Sequence, residues 1–332
     1  MRLITFVHDG EGAIGSWIDG DSRVVHLARA AHLDGRNETG FGSMQSLIEA
    51  GPALWDKARR FTELAPANAL LPTSDCRILA PLPRPAQIRD CLCFPEHLKG
   101  AVRSSVERAV AAAPDPVKAR AELEPDGPYE VPASFYDFPL YYICNRMAVV
   151  GPDVDVLWPT YSQTIDYELE WAAVIGSPCS AATEQSAREC IFGYTIFNDW
   201  SARDEQQKVM SQGAVNIGPG AGKDFCNSVG PCIVTADEIA DPYDLAMRAF
   251  VNGVQVSEGR SSGMHFTFED LIVSLTRAAT LYPGELICSG TVGGGCSIET
   301  GQTLGSGDRI ELEVEHIGKL ANRVVASHII GQ

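Results

Sequence analysis

Positive charge is what this 332-residue chain is short of: Lys and Arg number 26 against 43 Asp and Glu, a formal charge of −17. Such a field repels phosphate backbones and anionic lipid, so neither nucleic acid nor a membrane is an expected partner. It does not draw in an anionic substrate either; one that binds must find local compensation in a metal ion or in a few Arg and Lys. No apolar run approaches the roughly 18 residues that cross a bilayer. The start, MRLITFVHDGEG, lacks the charged-then-apolar order of a secretion signal, and the expected location is cytoplasmic. The ten cysteines include no C-x-x-C, the closest pair being Cys91 and Cys93, which argues against a zinc ribbon or a disulfide framework. They read as small apolar core residues.

What is there is an ordinary globular balance, 45% apolar and 21% charged, enough for one large domain or a large one with a small companion. Residues 1 to about 30 read as short strands, LITFV, AIGSWID and RVVHLA, separated by Asp9-Gly10 and Asp19-Gly20, which suit tight hairpins. A helical stretch is expected from about Met44 to Leu64, and the proline-rich residues 70–85 look like a linker. The expected division is a small β-rich N-terminal domain over 1–80 and a main domain over 81–332. Residues 96–113 have helical spacing, whereas 114–139, rich in Pro, Asp and Glu, are expected to be an irregular lid or surface excursion. Beyond lie β-like runs such as YELEWAAVIG, CIFGYTIFND, GPCIVTA and RIELEVEHIG, with helices near 183–189 and 268–280. The expected fold is mostly β with some α.

Glu168 and Glu170 stand two apart beside an apolar, β-forming run, so on a strand both face one side. Burying such a pair costs on the order of several kcal/mol per charge unless a cation compensates. A metal ion is the economical answer; a solvated strand face is the plain alternative. In GYTIFNDWSARDEQQ a strand-like run ends at Asp199, which reads either as a ligand or as the N-cap of a polar helix. Arg203, Asp204 and Gln206 follow, a mixture suited to recognising a carboxylate or enolate. RDCLCFPEHLKG adds Asp90 at the end of an extended run and His97 seven residues on. GPGAGKD is not a phosphate-binding loop, because the spacing before Lys223 is one short and Asp224 stands where a hydroxyl residue is needed.

In their order, DYELE-x-A-x-x-IG, NDWSARD-x-Q, GPGAGKDF, the VNG hairpin and LYPGELICSGT with its trailing glycines resemble the fumarylacetoacetate hydrolase family. The resemblance runs from about Asp90 to the C-terminus and implies that family's mixed β-roll catalytic domain behind a small β-rich one. It implies that Asp90, Glu168, Glu170 and Asp199 hold a divalent ion, and all-oxygen ligation selects Mg²⁺, or Mn²⁺ or Ca²⁺. His97 matches a histidine that activates water with an acid partner, and Glu299, in GCSIE, matches the partner; smaller members carry that acid where this chain has Gly100. A neutral imidazole held by a carboxylate is a sound base near neutral pH. Lys223 and Gln206 match groups that stabilise developing negative charge. Arg203, Tyr142 and Thr291 match substrate contacts, and the lid arginine corresponds to Arg103 or Arg108. His265 reads as a packed core histidine.

The implied activity is cleavage of a carbon–carbon bond in an acylpyruvate or related 1,3-dioxo acid, with homodimerisation. A decarboxylase, tautomerase or hydratase of a small 2-oxo acid would use the same site. A non-enzymatic metal-binding β-module would leave Arg203, Gln206 and Lys223 without a task.

Overall fold

The computed structural model describes residues 1–35 and 39–327. Its largest feature is an open twelve-stranded sheet. Seven of its strands concern the site: β1 (Arg2–His8), β2 (Ile88–Cys91), β3 (Tyr141–Ile143), β4 (Leu169–Ile175), β5 (Ile191–Asp199), β6 (Asn227–Thr235) and β7 (Leu286–Cys288). They lie side by side in the order β1-β6-β5-β4-β7-β2-β3, with strands at 11–18, 23–26 and 70–72 continuing beyond β1. β1 runs antiparallel to β6 with Arg2 opposite Val234, so the first strands share backbone hydrogen bonds with the strands of the site. A second sheet, of five strands, is built from residues 155–158, 246–260 and 309–326. With helices on both sides the build is mixed α and β. Among the described residues no helix is long and apolar enough to cross a membrane.

β4 and β5 are buried at every position. Both of their faces are covered, which is why their sequences read as near-continuous apolar runs and not as an alternation. On β4, Trp171, Ala173 and Ile175 join the core cluster of Phe268, Leu271 and the five-stranded sheet. Ala172 and Val174 join the other cluster, with Leu27, Leu47 and Phe61 from the helices of the first eighty residues. The two-residue period of a strand carries Glu168 and Glu170 onto the Ala172 side. The hairpin turns are as expected: Asp9 and Gly10 have φ of 52° and 82°, and Asp19 and Gly20 of 52° and 65°, the left-handed pairs that match the strand twist.

Three local expectations change. RVVHLA is a strand only to His26, and Leu27–Leu33 is helical. The stretch 44–64 is two helices, Met44–Glu49 and Pro52–Leu64, parted at Gly51 with its φ of 78°. Residues 114–139 contain a helix, Pro116–Leu123, whose first turn is held by the Asp115 carboxylate accepting the Lys118 N–H at 3.0 Å. No residue of that helix is buried, so there was no apolar stripe to reveal it.

His26 ties the N-terminal hairpin to the helix after it. Its Nδ1 accepts the Arg29 N–H at 3.4 Å, and its ring meets Phe6 edge-on at 5.6 Å. Burial, with Arg29 adding to it, lowers its pKa from 6.5 to about 4, because a protonated ring would lose both water and its acceptor role. The folded value lies below the unfolded one, so this stabilisation is present above pH 6.5 and is lost as the pH falls toward 4. Since part of the ring meets solvent, we expect about 1 kcal/mol and not the roughly 3 kcal/mol of the full shift. Thermal melts from about pH 7 to pH 4.5 should fall less steeply for His26→Gln than for the native chain; parallel curves would contradict this.

Candidate active site

The acids gather at the end of the sheet where β2, β5 and β7 finish and β4 and β6 begin. Asp90 lies opposite Tyr142 on β3 and Cys288 on β7. Glu170 is the second residue of β4, Glu168 directly precedes the strand, and Asp199 ends β5. One oxygen from each of Asp90, Glu168, Glu170 and Asp199 lies within 4.8 Å of the others, and all four residues are buried. The N-cap reading of Asp199 does not hold. The helix that follows, α1 here (Arg203–Met210), starts after Ala202, and no side chain caps it.

Four converging carboxylates demand positive charge. Lys223 Nζ lies 2.6 Å from Glu168 Oε2 and also pairs with Asp199. Arg203 Nη1 lies 2.7 Å from Glu168 Oε1, while its Nε and Nη2 each reach Asp166 Oδ2 at 2.8 Å. Burial opposes the charge on Glu168, but Lys223 and Arg203 outweigh it and hold that carboxyl well below the usual range. Asp90 and Glu170 differ: among the described residues no cation pairs with either. Burial first, and then neighbouring carboxylates, Asp199 for Asp90 and Asp90 for Glu170, push both well above the ordinary carboxyl value. Asp90 Oδ1 and Asp199 Oδ1 are moreover buried with no hydrogen-bond partner. Orphaned acceptors, an all-oxygen donor set and two acids without a direct ion pair among the described residues fit a hard divalent cation.

His97 belongs to a helix, Pro95–Ala112, and Glu299 to a helical turn, Ser297–Thr300. His97 Nδ1 lies 2.8 Å from Glu299 Oε2. The other carboxylate oxygen accepts the Gly294 N–H at 2.9 Å, and the Cys296 thiol donates to Oε2 at 3.2 Å. His97 is close enough to the acids to act on Glu168 electrostatically, after Lys223 and Arg203. The pairing depends on Gly100, because a Cβ there would stand 2.3 Å from Glu299 Oε1. The atom in the way is the far end of a flexible side chain, so it can swing aside, and the bonds it gives up to Gly294 and Cys296 are offset by the better helix propensity of alanine, about 1 kcal/mol. Gly100→Ala is therefore expected to lower kcat by about 10- to 100-fold through misplacement of Glu299, with a melting temperature close to native. Native kcat in this variant would mean that the contact is idle.

Sequence reasoning missed Asp166. Its Oδ1 accepts the Ser297 N–H at 2.8 Å, and its Oδ2 takes Arg203 and the Ile298 N–H at 3.3 Å. One buried carboxylate thus anchors both the arginine and the turn that carries Glu299. A signal existed: Asp166 precedes Glu168 by two, on the same face of an extended run.

The other residues singled out divide by what they touch. Gln206, one turn along α1 from Arg203, accepts from its Nη1 at 2.9 Å. The Tyr142 hydroxyl donates to Asp199 Oδ2. Thr291 donates to Glu170 Oε1 at 3.3 Å beside the Gly290 N–H, which reaches Oε2 at 3.1 Å. Gly290, with φ of 75°, could not carry a side chain, since a Cβ would lie 2.2 Å from the Cys91 carbonyl oxygen. Arg103 and Arg108 are both exposed on the helix that carries His97; Arg108 reaches the Ile298 carbonyl at 3.1 Å. His265 is not a core residue: it is exposed, and its ring meets Tyr136 edge-on at 4.8 Å. Its apolar neighbours Met264 and Phe266 made the segment look more buried than it is.

A mixed α/β fold whose sheet ends in four buried carboxylates, next to a histidine held by a glutamate, defines a carboxylate-centred enzyme class. Residues 106–325 match the family described as fumarylacetoacetate (FAA) hydrolase C-terminal, and the chain belongs to the fumarylacetoacetate hydrolase family. It is 31% identical over 330 residues to oxaloacetate tautomerase FAHD2A, mitochondrial, of Homo sapiens, with 92% of each chain covered. Among solved structures it is similar to fumarylacetoacetate hydrolase from psychrophilic Exiguobacterium antarcticum, at TM-score 0.70 and 26% identity, covering 98% of this chain and 99% of that one. Maleylpyruvate hydrolase from Sphingobium sp. SYK-6, in complex with manganese(II) ion and pyruvate, shares the fold at TM-score 0.68 and 21% identity, covering 98% and 99%.

Proposed function

We propose that this enzyme hydrolyses a carbon–carbon bond in an acylpyruvate or related 1,3-dioxo acid. The observation that carries the reading is the 2.8 Å contact, beside the carboxylate cluster, between His97 Nδ1 and the Glu299 carboxylate, whose side chain is 4% exposed. With Nδ1–H donating to Glu299, the lone pair of Nε2 is left to take a proton from water. Glu299 fixes that tautomer and stabilises the imidazolium that forms. The hydroxide adds to the carbonyl distal to the acid group, the bond between the two carbonyl-bearing halves breaks, and His97 returns its proton to the departing carbon.

Arg203 and Lys223 place positive charge where negative charge develops, with Gln206 orienting Arg203. Tyr142 and Thr291 hold Asp199 and Glu170 in place through their hydroxyls. A divalent ion, Mg²⁺ or Mn²⁺ or Ca²⁺, held by Asp90, Glu168, Glu170 and Asp199 would supply Lewis-acid charge to the oxygens of a 2-oxo acid.

A second reading has its own support. The human relative named an oxaloacetate tautomerase favours proton transfer without cleavage, in which His97 would move a proton between carbon and oxygen of a small 2-oxo acid. Assaying acylpyruvates, oxaloacetate and 2-hydroxydienoates with and without Mg²⁺ decides between them. Release of pyruvate and a carboxylic acid from an acylpyruvate, dependent on the ion, is the expected result. Equilibration of oxaloacetate tautomers with no acylpyruvate cleavage would overturn the hydrolase reading.

A further inference from the structure

The pair formed by His97 and Glu299 has a third neighbour that the proposed reaction does not use. Cys296 is wholly buried, and one ligand atom from each of His97, Cys296 and Glu299 lies within 4.8 Å of the other two. Imidazole nitrogen, thiol sulfur and carboxylate oxygen form a donor set different in kind from the four carboxylates nearby. Sulfur and nitrogen favour Zn²⁺ and similar borderline ions over Mg²⁺.

The set is also held in place. Glu299 Oε2 stands 2.8 Å from His97 Nδ1 and 3.2 Å from Cys296 Sγ, with Oε1 fixed by the Gly294 N–H at 2.9 Å. Cys296 is fixed through its backbone, which bridges to Glu168, and the next residue donates its N–H to Asp166 at 2.8 Å. The His97 side chain keeps 12% of its surface exposed, so the set is not sealed from solvent.

Charge fits as well. A thiolate and a carboxylate together neutralise a divalent ion, so an occupied site would bury no net charge, the condition under which ions are tolerated away from water.

We propose that His97, Cys296 and Glu299 form a second metal site, which takes a borderline divalent ion such as Zn²⁺ and arrests the enzyme when filled. As the sulfur–metal bond forms, the Cys296 thiol gives its proton to solvent, one proton released for each ion bound. Nδ1 of His97 turns from donor to ligand, and its hydrogen moves to Nε2. Glu299 exchanges its hydrogen bond from Nδ1 for the ion. Nothing is oxidised or reduced. With Nε2 carrying the hydrogen, His97 has no lone pair left for a water proton. Binding of the ion follows from the three side chains alone; the arrest rests on the proposed role of His97 as base.

Co²⁺ serves as the probe, because a cobalt–thiolate bond absorbs in the near ultraviolet and all-oxygen ligation does not. Enzyme first saturated with Mg²⁺ is titrated with Co²⁺, and separately assayed for turnover with added Zn²⁺. One equivalent of Co²⁺ should raise the thiolate band in the native protein. Cys296→Ser should abolish the band, and its inhibition by Zn²⁺, measured against its own zinc-free rate, should be at least about tenfold weaker. Cys144→Ser is the control, because Cys144 lies with Asp90 and Asp199 in a separate group; it should keep the band. No band, or a band lost in Cys144→Ser and kept in Cys296→Ser, overturns the site. A Cys296-dependent band with turnover untouched by Zn²⁺ supports the site and overturns the role of His97 as base. Should Cys296→Ser not fold, His97→Gln carries the binding test, with an expected loss of about tenfold or more in Co²⁺ affinity; unchanged affinity would overturn the site.

Discussion

His97→Ala is expected to keep its divalent ion while turnover falls by about 10²- to 10⁴-fold, the range associated with loss of a general base. The two readouts separate because His97 is not one of the four converging carboxylates, and its own partner is Glu299. Glu299→Gln should lower turnover less, since the amide still orients the ring but no longer balances its charge. Replacing both should cost little more than replacing His97 alone, because the two act as a unit. The check is single-turnover kinetics on the substrate found by the assay above, together with calorimetric titration of Mg²⁺ or Mn²⁺. Native turnover in His97→Ala would remove the proposed base.

Asp90→Asn should do the reverse, acting on the ion first. Asp90 has no cationic partner among the described residues, and burial and Asp199 push its carboxyl well above the ordinary range. Burial and the nearby Asp199 charge thus already disfavour the ionised form there, and an amide should leave the metal-free protein as stable as native or slightly more so. What is lost is a ligand. Affinity for the divalent ion should fall by about 100-fold or more, turnover should follow, and the melting-temperature rise on adding the ion should shrink. At an ion concentration about 100 times the native dissociation constant that rise represents roughly 2.7 kcal/mol. Melts of both proteins with and without Mg²⁺ test this directly. An equal shift in both would show that Asp90 is not a ligand.

The legible part of the site was local. Glu168 and Glu170 could be placed on one face from the period of a strand, and their neighbours Trp171 to Ile175 are as buried as their composition requires. His97 and Glu299 stand 202 positions apart, and no rule of spacing joins them; only the order of motifs shared with a family pointed there. The alternation of Asp166, Glu168 and Glu170 marks Asp166 as sharing their face, but not its role, which is to receive backbone N–H groups from a turn 131 residues away. The same holds for Cys296, which reads as one more buried thiol until its sulfur is seen against Glu299. The helix at Pro116–Leu123 was hidden for the opposite reason: it buries nothing, and only its Asp115-Pro116 start marks it. Pairings between distant strands, β1 on β6 or β2 on β7, follow from how the core closes. A single chain's sequence does not state them.

Asp90, Glu168, Glu170 and Asp199 are expected to share one divalent cation beside His97. Anomalous diffraction from crystals of the native protein grown with Mn²⁺ and pyruvate tests it most directly. One strong manganese peak is expected within coordination distance of all four side chains, or of three with water between the ion and the fourth. A peak elsewhere, or none with Lys223 still paired to Glu168 and Asp199, would contradict it.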